Sequence, residues 1–319
     1  MQRLWAAVAC LMIVNGVFAQ DYPSRQITMI VPFSGGSASD VITRIVLDRM
    51  QTSIGQRFVV DNRPAAGGNV GTAAVVRAAP DGYTIGMSAS GPLAANKTLY
   101  ANLGYDPERD VQPISLYASL PNVVVVSARL PVQTIAELID YVKKTPDVPY
   151  GSVGNGSAQH LAGAFFEQIV GVRMTHVPYR VTANLVTDLV SGQAPVSFQL
   201  LPNVRGQIKA GQVRPLMVAS DKRLAALPDV PTSAEAGFKG YVSAAWFAFI
   251  APRGTARPVV DKLYREVSSA MSDASVRTRF IDFGAEPLAT TPENLGKFIS
   301  AEVSKWREII TKGGITVDP

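Results

Sequence analysis

The chain has 319 residues, of which 47% are hydrophobic and 17% charged. That length suits two domains of ordinary size, and the even composition, without low-complexity tracts or charge runs, excludes a disordered arm and fits a soluble globular protein. The formal charge of +5 favours anions in general but is too diffuse to mark a nucleic-acid surface, so no nucleic-acid partner is expected.

The opening MQRLWAAVACLMIVNGVFAQ has one cation, Arg3, then an apolar stretch from Leu4 to Val14, then Val17 and Ala19 around Phe18. This is the layout of a secretory signal cut after Ala19, so residues 1–19 are expected to direct export and be removed. The competing readings are a buried N-terminal helix, a retained anchor, or a lipoprotein acylated at Cys10; the apolar run is short for a span, and a polar, Pro-containing segment follows it. Cleavage would remove Cys10, the single cysteine, and Arg3, leaving 29 cations against 25 anions, a formal +4, and no thiol chemistry. No later segment is long and apolar enough to cross a bilayer.

Past the leader, strand-like runs rich in β-branched residues alternate with amphipathic helical stretches, which predicts an α/β protein with helices on both faces of its sheets. Strands are predicted near Ile27–Pro32, Arg57–Asp61, Tyr83–Ser88, Val111–Ala118, Asn122–Val126, Pro149–Ser152, Met174–Val177, Pro195–Gln199, Val213–Ala219 and Ala244–Ala251. Thr134 with Glu137, Thr232 with Glu235, and Thr290 with Glu293 carry the reciprocal capping pattern that starts a helix. The second of these helices should be brief, ended by Gly237 and Gly240. The third should lay Leu295, Phe298, Ile299, Val303 and Trp306 on a core.

Two apolar stretches, PNVVVVSARLP (121–131) and AAWFAFIAP (244–252), lack clean alternation, as strands buried on both faces do. If both cross between lobes, residues 21–122 plus 245–319 form one domain and 123–244 the other, and the double crossing is a hinge. The alternative is two central strands of a single larger sheet.

In VPFSGGSASD the backbone leaves a strand at Phe33, turns through Gly35 and Gly36, and enters a helix capped by Ser39 or Asp40. GSVGNGSAQH repeats the plan: Gly151, Gly154 and Gly156 give freedom, Ser152 and Asn155 give side-chain donors, and Ser157 caps the helix. Helix starts expose amides and partial positive charge, and glycine lets a ligand approach the backbone. Facing one another across a cleft, the two turns could hold opposite ends of one small dianion. A charge-assisted hydrogen bond is worth roughly 1.5–3 kcal/mol, so four or five could leave about 8 kcal/mol, a micromolar affinity. The plain alternative is that both are only strand-to-helix connections.

Enzymatic chemistry finds no support. GSVGNGS lacks the Lys of a P-loop and the spacing of a dinucleotide site, neither loop is a nucleophile elbow, and His160 and His176 stand without an HExxH motif or a Cys pair. No catalytic residue, metal or cofactor is therefore expected. His160, in a first helical turn, either donates to a ligand or packs as a half-buried histidine. His176 reads as structural, and Asp40 as a cap or, less simply, an acid.

YPSRQITMIVPFSGGSASD, VVDNRPAAGGNVGT, PDGYTIGM, YGSVGNGSAQHLAG, HVPYR, IKAGQVRPLMVAS, LPDVPTSAEAG, WFAFIAPRGT and GAEPLATTPENLGKFISAEVSKW together resemble the periplasmic solute-binding proteins of tripartite tricarboxylate transporters, the Bug receptors of Bordetella and relatives. The likeness runs from about Tyr22 to the C-terminus. It implies a two-lobed, type II-like periplasmic-binding-protein fold with mixed, mainly parallel sheets. It also implies a periplasmic receptor, expected to be a monomer, that closes on a small carboxylate and delivers it to integral membrane permease subunits; the rival readings are a loaded receptor that touches a sensor kinase and a periplasmic hydrolase of a carboxylate ester or amide. The residues it implies at the ligand are Phe33, Ser34, Gly35, Gly36, Ser37, Ser39 and Asp40 in the first loop. The second loop contributes Ser152, Val153, Gly154, Asn155, Gly156, Ser157 and His160, with Ser88, Ala89 and Ser90 bordering the site and Thr182 and Gln199 near it. Departures from the family pattern are Ser34 and Ser37 around Gly35-Gly36, Ser90 for a common Asn, Arg180-Val181 for Lys-Gly, and Gln199-Leu200 for Asp-Asn. Val181 implies a stiffer rim, and Gln199 removes a negative charge.

Overall fold

The computed structural model describes residues 22–317; the expected leader, residues 1–19, lies outside them. In chain order the elements are β1 (Ile27–Val31), α1 (Ala38–Ile54), β2 (Phe58–Asn62), α2 (Asn69–Val76), β3 (Thr84–Ala89), α3 (Asn96–Leu99), β4 (Val111–Pro121), β5 (Val123–Ser127), α4 (Ile135–Lys144) and β6 (Pro149–Ser152). Then follow α5 (Ala158–Val170), β7 (Thr175–Pro178), α6 (Thr182–Ser191), β8 (Val196–Gln199), α7 (Leu201–Lys209), β9 (Val213–Val218), β10 (Ala244–Pro252), α8 (Arg257–Ser272), α9 (Ala274–Asp282), β11 (Glu286–Pro287) and α10 (Pro292–Gly313). The strands fall on the runs that predicted them, β4 continuing to Pro121; β11 is too short to leave a pattern.

They form two sheets rather than one larger one: six strands in the order β11-β4-β10-β3-β1-β2, and five in the order β7-β6-β8-β5-β9. Both are mixed, but not mainly parallel as expected: antiparallel pairs outnumber parallel ones, because β10 returns from the second sheet against β3 and β4, β11 adds to β4, and β5 runs against β8 and β9. Parallel pairing joins β1 to β2 and β3, and β6 to β7 and β8. Antiparallel pairing enters around β10 and β5, the strands next to where the chain changes sheet.

The apolar runs owe their uninterrupted character to burial on both faces. Along β5, Val124 and Val126 pack with Leu138, Val142 and Phe166 on one side, while Val123 and Val125 pack with Leu185, Leu189 and Val204 on the other. Along β10, Phe247 and Phe249 meet α1, α8 and α9 through Ile42, Leu263 and Phe280, and Trp246 and Ile250 meet the predicted stripe of α10, Leu295, Ile299, Val303 and Trp306. Each such side chain contributes about 1.5–3 kcal/mol by leaving water, so both strands act as rigid centres from which the loops project.

The passages between sheets are polar, not apolar. Asn122 alone separates β4 from β5, and Ser243 precedes β10. Asn122 N donates to Ser243 O (2.9 Å), Ser243 Oγ to Asn122 Oδ1 (3.1 Å), and Asn122 Nδ2 to Phe198 O (3.0 Å). A one-residue crossing leaves backbone groups that neither sheet can pair, and these short side chains satisfy them.

Helix starts correct three expectations. The cap of α1 is Ser37, not Ser39 or Asp40: Gly36, at φ 75°, completes the turn early and Ser37 is already extended at ψ 164°. The cap of α10 is Thr291, not Thr290, because Pro292 fills the first helical position; Thr290 instead takes the Leu116 amide on Oγ1 at 3.1 Å. Thr232 and Glu235 do exchange both capping bonds, at 2.8 and 3.1 Å, but Gly237 at φ 89° ends the segment as turns before a helix forms.

Candidate functional site

The turns after β1 and β6 share one construction. Ser37 Oγ accepts from Asp40 N (3.4 Å), and the Asp40 carboxylate reaches back to accept from Gly36 N (2.9 Å). Ser157 Oγ accepts from His160 N (3.3 Å), and His160 Nδ1 accepts from Gly156 N (3.1 Å). In both, the side chain three places after the cap closes on the amide one place before it, a variant of the capping box with Asp and His as closing groups. Both closures require a left-handed glycine, φ 75° at Gly36 and 76° at Gly156, where any other residue is strained.

The two helix starts meet. Between them lies a cavity of ≈ 20 Å³, room for about one water. Ser37, Ala38 and Ser39 line it from α1 and Ser157, Ala158 and Gln159 from α5; Phe33, Ala89, Pro92, Val153, Leu200, Ala245 and Phe247 give it apolar walls, and Gly91 and Asn203 complete it. No charged side chain lines it. Helix geometry leaves the first-turn amides of Ala38, Ser39, Ala158 and Gln159 without an intrahelical acceptor. One already holds an oxygen: Ala38 N donates to Asn203 Oδ1 at 2.7 Å, a side chain that α7 brings from the other sheet. Asn203 Nδ2 in turn donates to Gln199 Oε1 (2.8 Å), and Gln199 Nε2 to Ser197 Oγ (2.8 Å).

The two halves are closed on one another. A Cβ at Gly67 would stand 2.1 Å from Asn155 O, and one at Gly91 would stand 2.0 Å from Gly156 O, so backbone meets backbone and only glycine fits. Ser34 Oγ pairs with Thr182 Oγ1 (3.0 Å), Tyr100 OH donates to Asn155 O (3.0 Å), and Arg180 Nε donates to Pro64 O (2.9 Å).

Of the residues expected at the ligand, Phe33, Ser37, Ser39, Ala89, Val153 and Ser157 line this cavity. Ser34, Gly154, Asn155 and Thr182 line a wider opening beside it. Gly36, Asp40 and Gly156 shape the turns, and Gly35 is exposed against Asn62. Ser88 pairs with Thr72 (2.7 Å), Ser90 is buried with its hydroxyl unpartnered, and Ser152 Oγ meets His176 Nε2 (2.6 Å). Gln199 stands one residue behind the wall, through Asn203. His160 faces away, its ring 4.2 Å from that of His176 in a separate groove running to the end of α10. Residues not anticipated are Ala38, Gly91, Pro92, Ala158, Gln159, Leu200, Asn203, Ala245 and Phe247. The three at helix starts carried a readable signal, since they follow the capping serines.

Electrostatically the turns differ. Burial alone would raise the Asp40 carboxyl, but hydrogen bonds from Arg44, the Gly36 amide and Asn62, with the Arg44 charge, hold it below its ordinary value. Burial, and then the charge of His160, push the His176 imidazole down to about 3. Among the described residues no group of three or more His, Cys, Asp or Glu is placed to hold a metal, and no helix is long and apolar enough to cross a membrane.

Known proteins resemble the chain over most of its length. The family described as "Tripartite tricarboxylate transporter family receptor" (TctC) matches residues 42–315. Protein BugT of Bordetella pertussis is 34% identical over 98% of this chain and 98% of its own. Among solved structures, R. palustris Rpa4515 with adipate is 36% identical, covering 93% of this chain and 99% of that one at a TM-score of 0.90. MatC from Rhodopseudomonas palustris with bound malate is 31% identical, covering 91% and 100% at 0.85.

Proposed function

Because the chain belongs to the tripartite tricarboxylate transporter receptor family, we propose that it is exported to the periplasm, captures a small organic carboxylate between the starts of α1 and α5, and hands it unchanged to a membrane permease. The observation that carries this reading is that both helix starts open into one cavity without a charged side chain. The closed cavity has room for about one water, so it must widen as the halves part to admit an acid group, which would then be held by first-turn amides and hydroxyls, with the partial positive ends of two helices balancing its charge. The apolar walls from Phe33, Leu200 and Phe247 suit a slender body. The adipate and malate in the two Rhodopseudomonas relatives support a dicarboxylate.

Residues 21–122 plus 245–319 and residues 123–244 are the bodies that open and close, turning at Asn122 and Ser243. Opening breaks the Ser34–Thr182, Tyr100–Asn155, Ala38–Asn203 and Arg180–Pro64 contacts. A ligand that touches both turns favours the closed form by its differential contacts. Thermal shift and calorimetry against a panel of aliphatic, hydroxylated, amino and aromatic acids test the reading. At least one acid should raise Tm, bind near micromolar and be recovered intact, and deletion of the cognate permease should abolish growth on it. Failure of the whole panel to bind, or turnover of the bound acid, would overturn the reading.

A further inference from the structure

Beside the small cavity lies a larger opening of ≈ 410 Å³ that shares two of its walls, Phe33 and Val153. An acid seated on the helix starts that extends past those shared walls enters the opening. The linings differ in kind. The small cavity has no charged side chain; the opening has a single one, Arg180, and no carboxylate to neutralise it. Arg180 is exposed at the edge of the opening, and its Nε donates to the carbonyl of Pro64 (2.9 Å) across the cleft. Among the described residues neither of its Nη atoms has a hydrogen-bond or ion-pair partner. A guanidinium bonded through one nitrogen and free at the others presents the planar fork that takes a carboxylate.

We propose that Arg180 is the specificity-determining residue of a distal subsite that reads a second anionic group, which makes the preferred ligand an unbranched α,ω-dicarboxylate. The inference rests on the reading that the first carboxylate sits between α1 and α5. The two shared walls, Phe33 and Val153, are apolar and suit a methylene chain between the two anionic groups. The other polar residues lining the opening, Ser34, Tyr100, Asn155, Tyr179 and Thr182, carry no charge, so the gain from a second anionic group falls on Arg180.

A merely structural Arg180, a strut to Pro64, would help every ligand equally, and this separates the two roles. Calorimetry compares wild type with Arg180→Gln, which keeps an N–H donor for Pro64, using an unbranched monocarboxylate and the α,ω-dicarboxylate of the same carbon number. Wild type should favour the diacid by roughly ten- to hundredfold, the range of one charge-assisted contact. Arg180→Gln should erase that preference while leaving monoacid affinity nearly unchanged, and Arg180→Lys should restore part of it. Equal loss for both acids, or an undiminished preference for the diacid, would overturn the subsite while leaving capture between the helix starts intact. Failure of both acids to bind wild type would instead remove both readings.

Discussion

At the start of α1 the Gly36 amide is held by the Asp40 carboxylate, while at the start of α5 the Gly156 amide is held by the His160 imidazole. Spacing, cap and glycine conformation are the same, and the closing chemistry is not. The carboxylate is locked further by Arg44 and Asn62, at 3.0 Å each, and keeps accepting until strong acid. An imidazole Nδ1 stops accepting when it gains a proton. Packing differs as well, for Gly36 has open space beside it and Gly156 is wedged against buried Asn96. One turn is thus a fixed platform. The other depends on its neighbours in both charge and fit.

Alanine at the two glycines should break this pairing most strongly. Both substitutions incur the left-handed strain of about 1–2 kcal/mol. Gly36→Ala should cost little more, while at Gly156 the new Cβ would stand 2.1 Å from Asn96 Oδ1, adding about 1–3 kcal/mol of overpacking. Urea unfolding should therefore rank Gly156→Ala well below Gly36→Ala, and only the former should also weaken acid binding by forcing the halves apart; equal costs would contradict the account.

Acid should separate the turns next. His176 has its native pKa pushed down to about 3, below the ordinary histidine value near 6.5, so the unfolded chain takes the proton first. Its stabilisation, on the order of a few kcal/mol, is present above about pH 6.5 and is lost progressively as pH falls toward about 3. Asp40, held below its ordinary value of 3.8, keeps its contribution down to about that pH and loses it as the pH falls further. Melting curves between pH 7 and 5 should drop for wild type and drop less for His176→Gln; parallel curves would show that His176, paired with Ser152 where the second turn begins, is not the acid-sensitive group.

The caps should show the smallest effect and the closest likeness. Ser37→Ala and Ser157→Ala each remove one hydroxyl acceptor from a first-turn amide, at 3.4 and 3.3 Å, and each should cost about 1 kcal/mol in chemical denaturation. A several-fold difference between them would mean that the shared construction is only formal.

GGSASD and GNGSAQH already display the shared plan as serine, two residues, then Asp or His, and the apolar runs of β5 and β10 announce strands buried on both faces. What the turns do to each other is another matter. Gly67 and Gly91 read as ordinary loop glycines, because the carbonyls that exclude a Cβ belong to residues far along the chain, Asn155 and Gly156. Phe247 reads as core because it is core on most sides, and nothing local tells that one edge faces a cavity. Asn203 reads as a surface residue of α7 until the sheets meet and its oxygen lands on Ala38. His160 was expected at a ligand by its place in the first turn, yet the bond it accepts from Gly156 turns the ring the other way.

The central claim is that a single small acid touches both helix starts at once. A crystal structure with an α,ω-dicarboxylate such as adipate tests it most directly. The account predicts one carboxylate between the two turns, its oxygens reaching the amides of both Ser39 and Gln159 directly or through one water. A carboxylate bound to only one turn, or seated outside the space between Phe33 and Phe247, would contradict it.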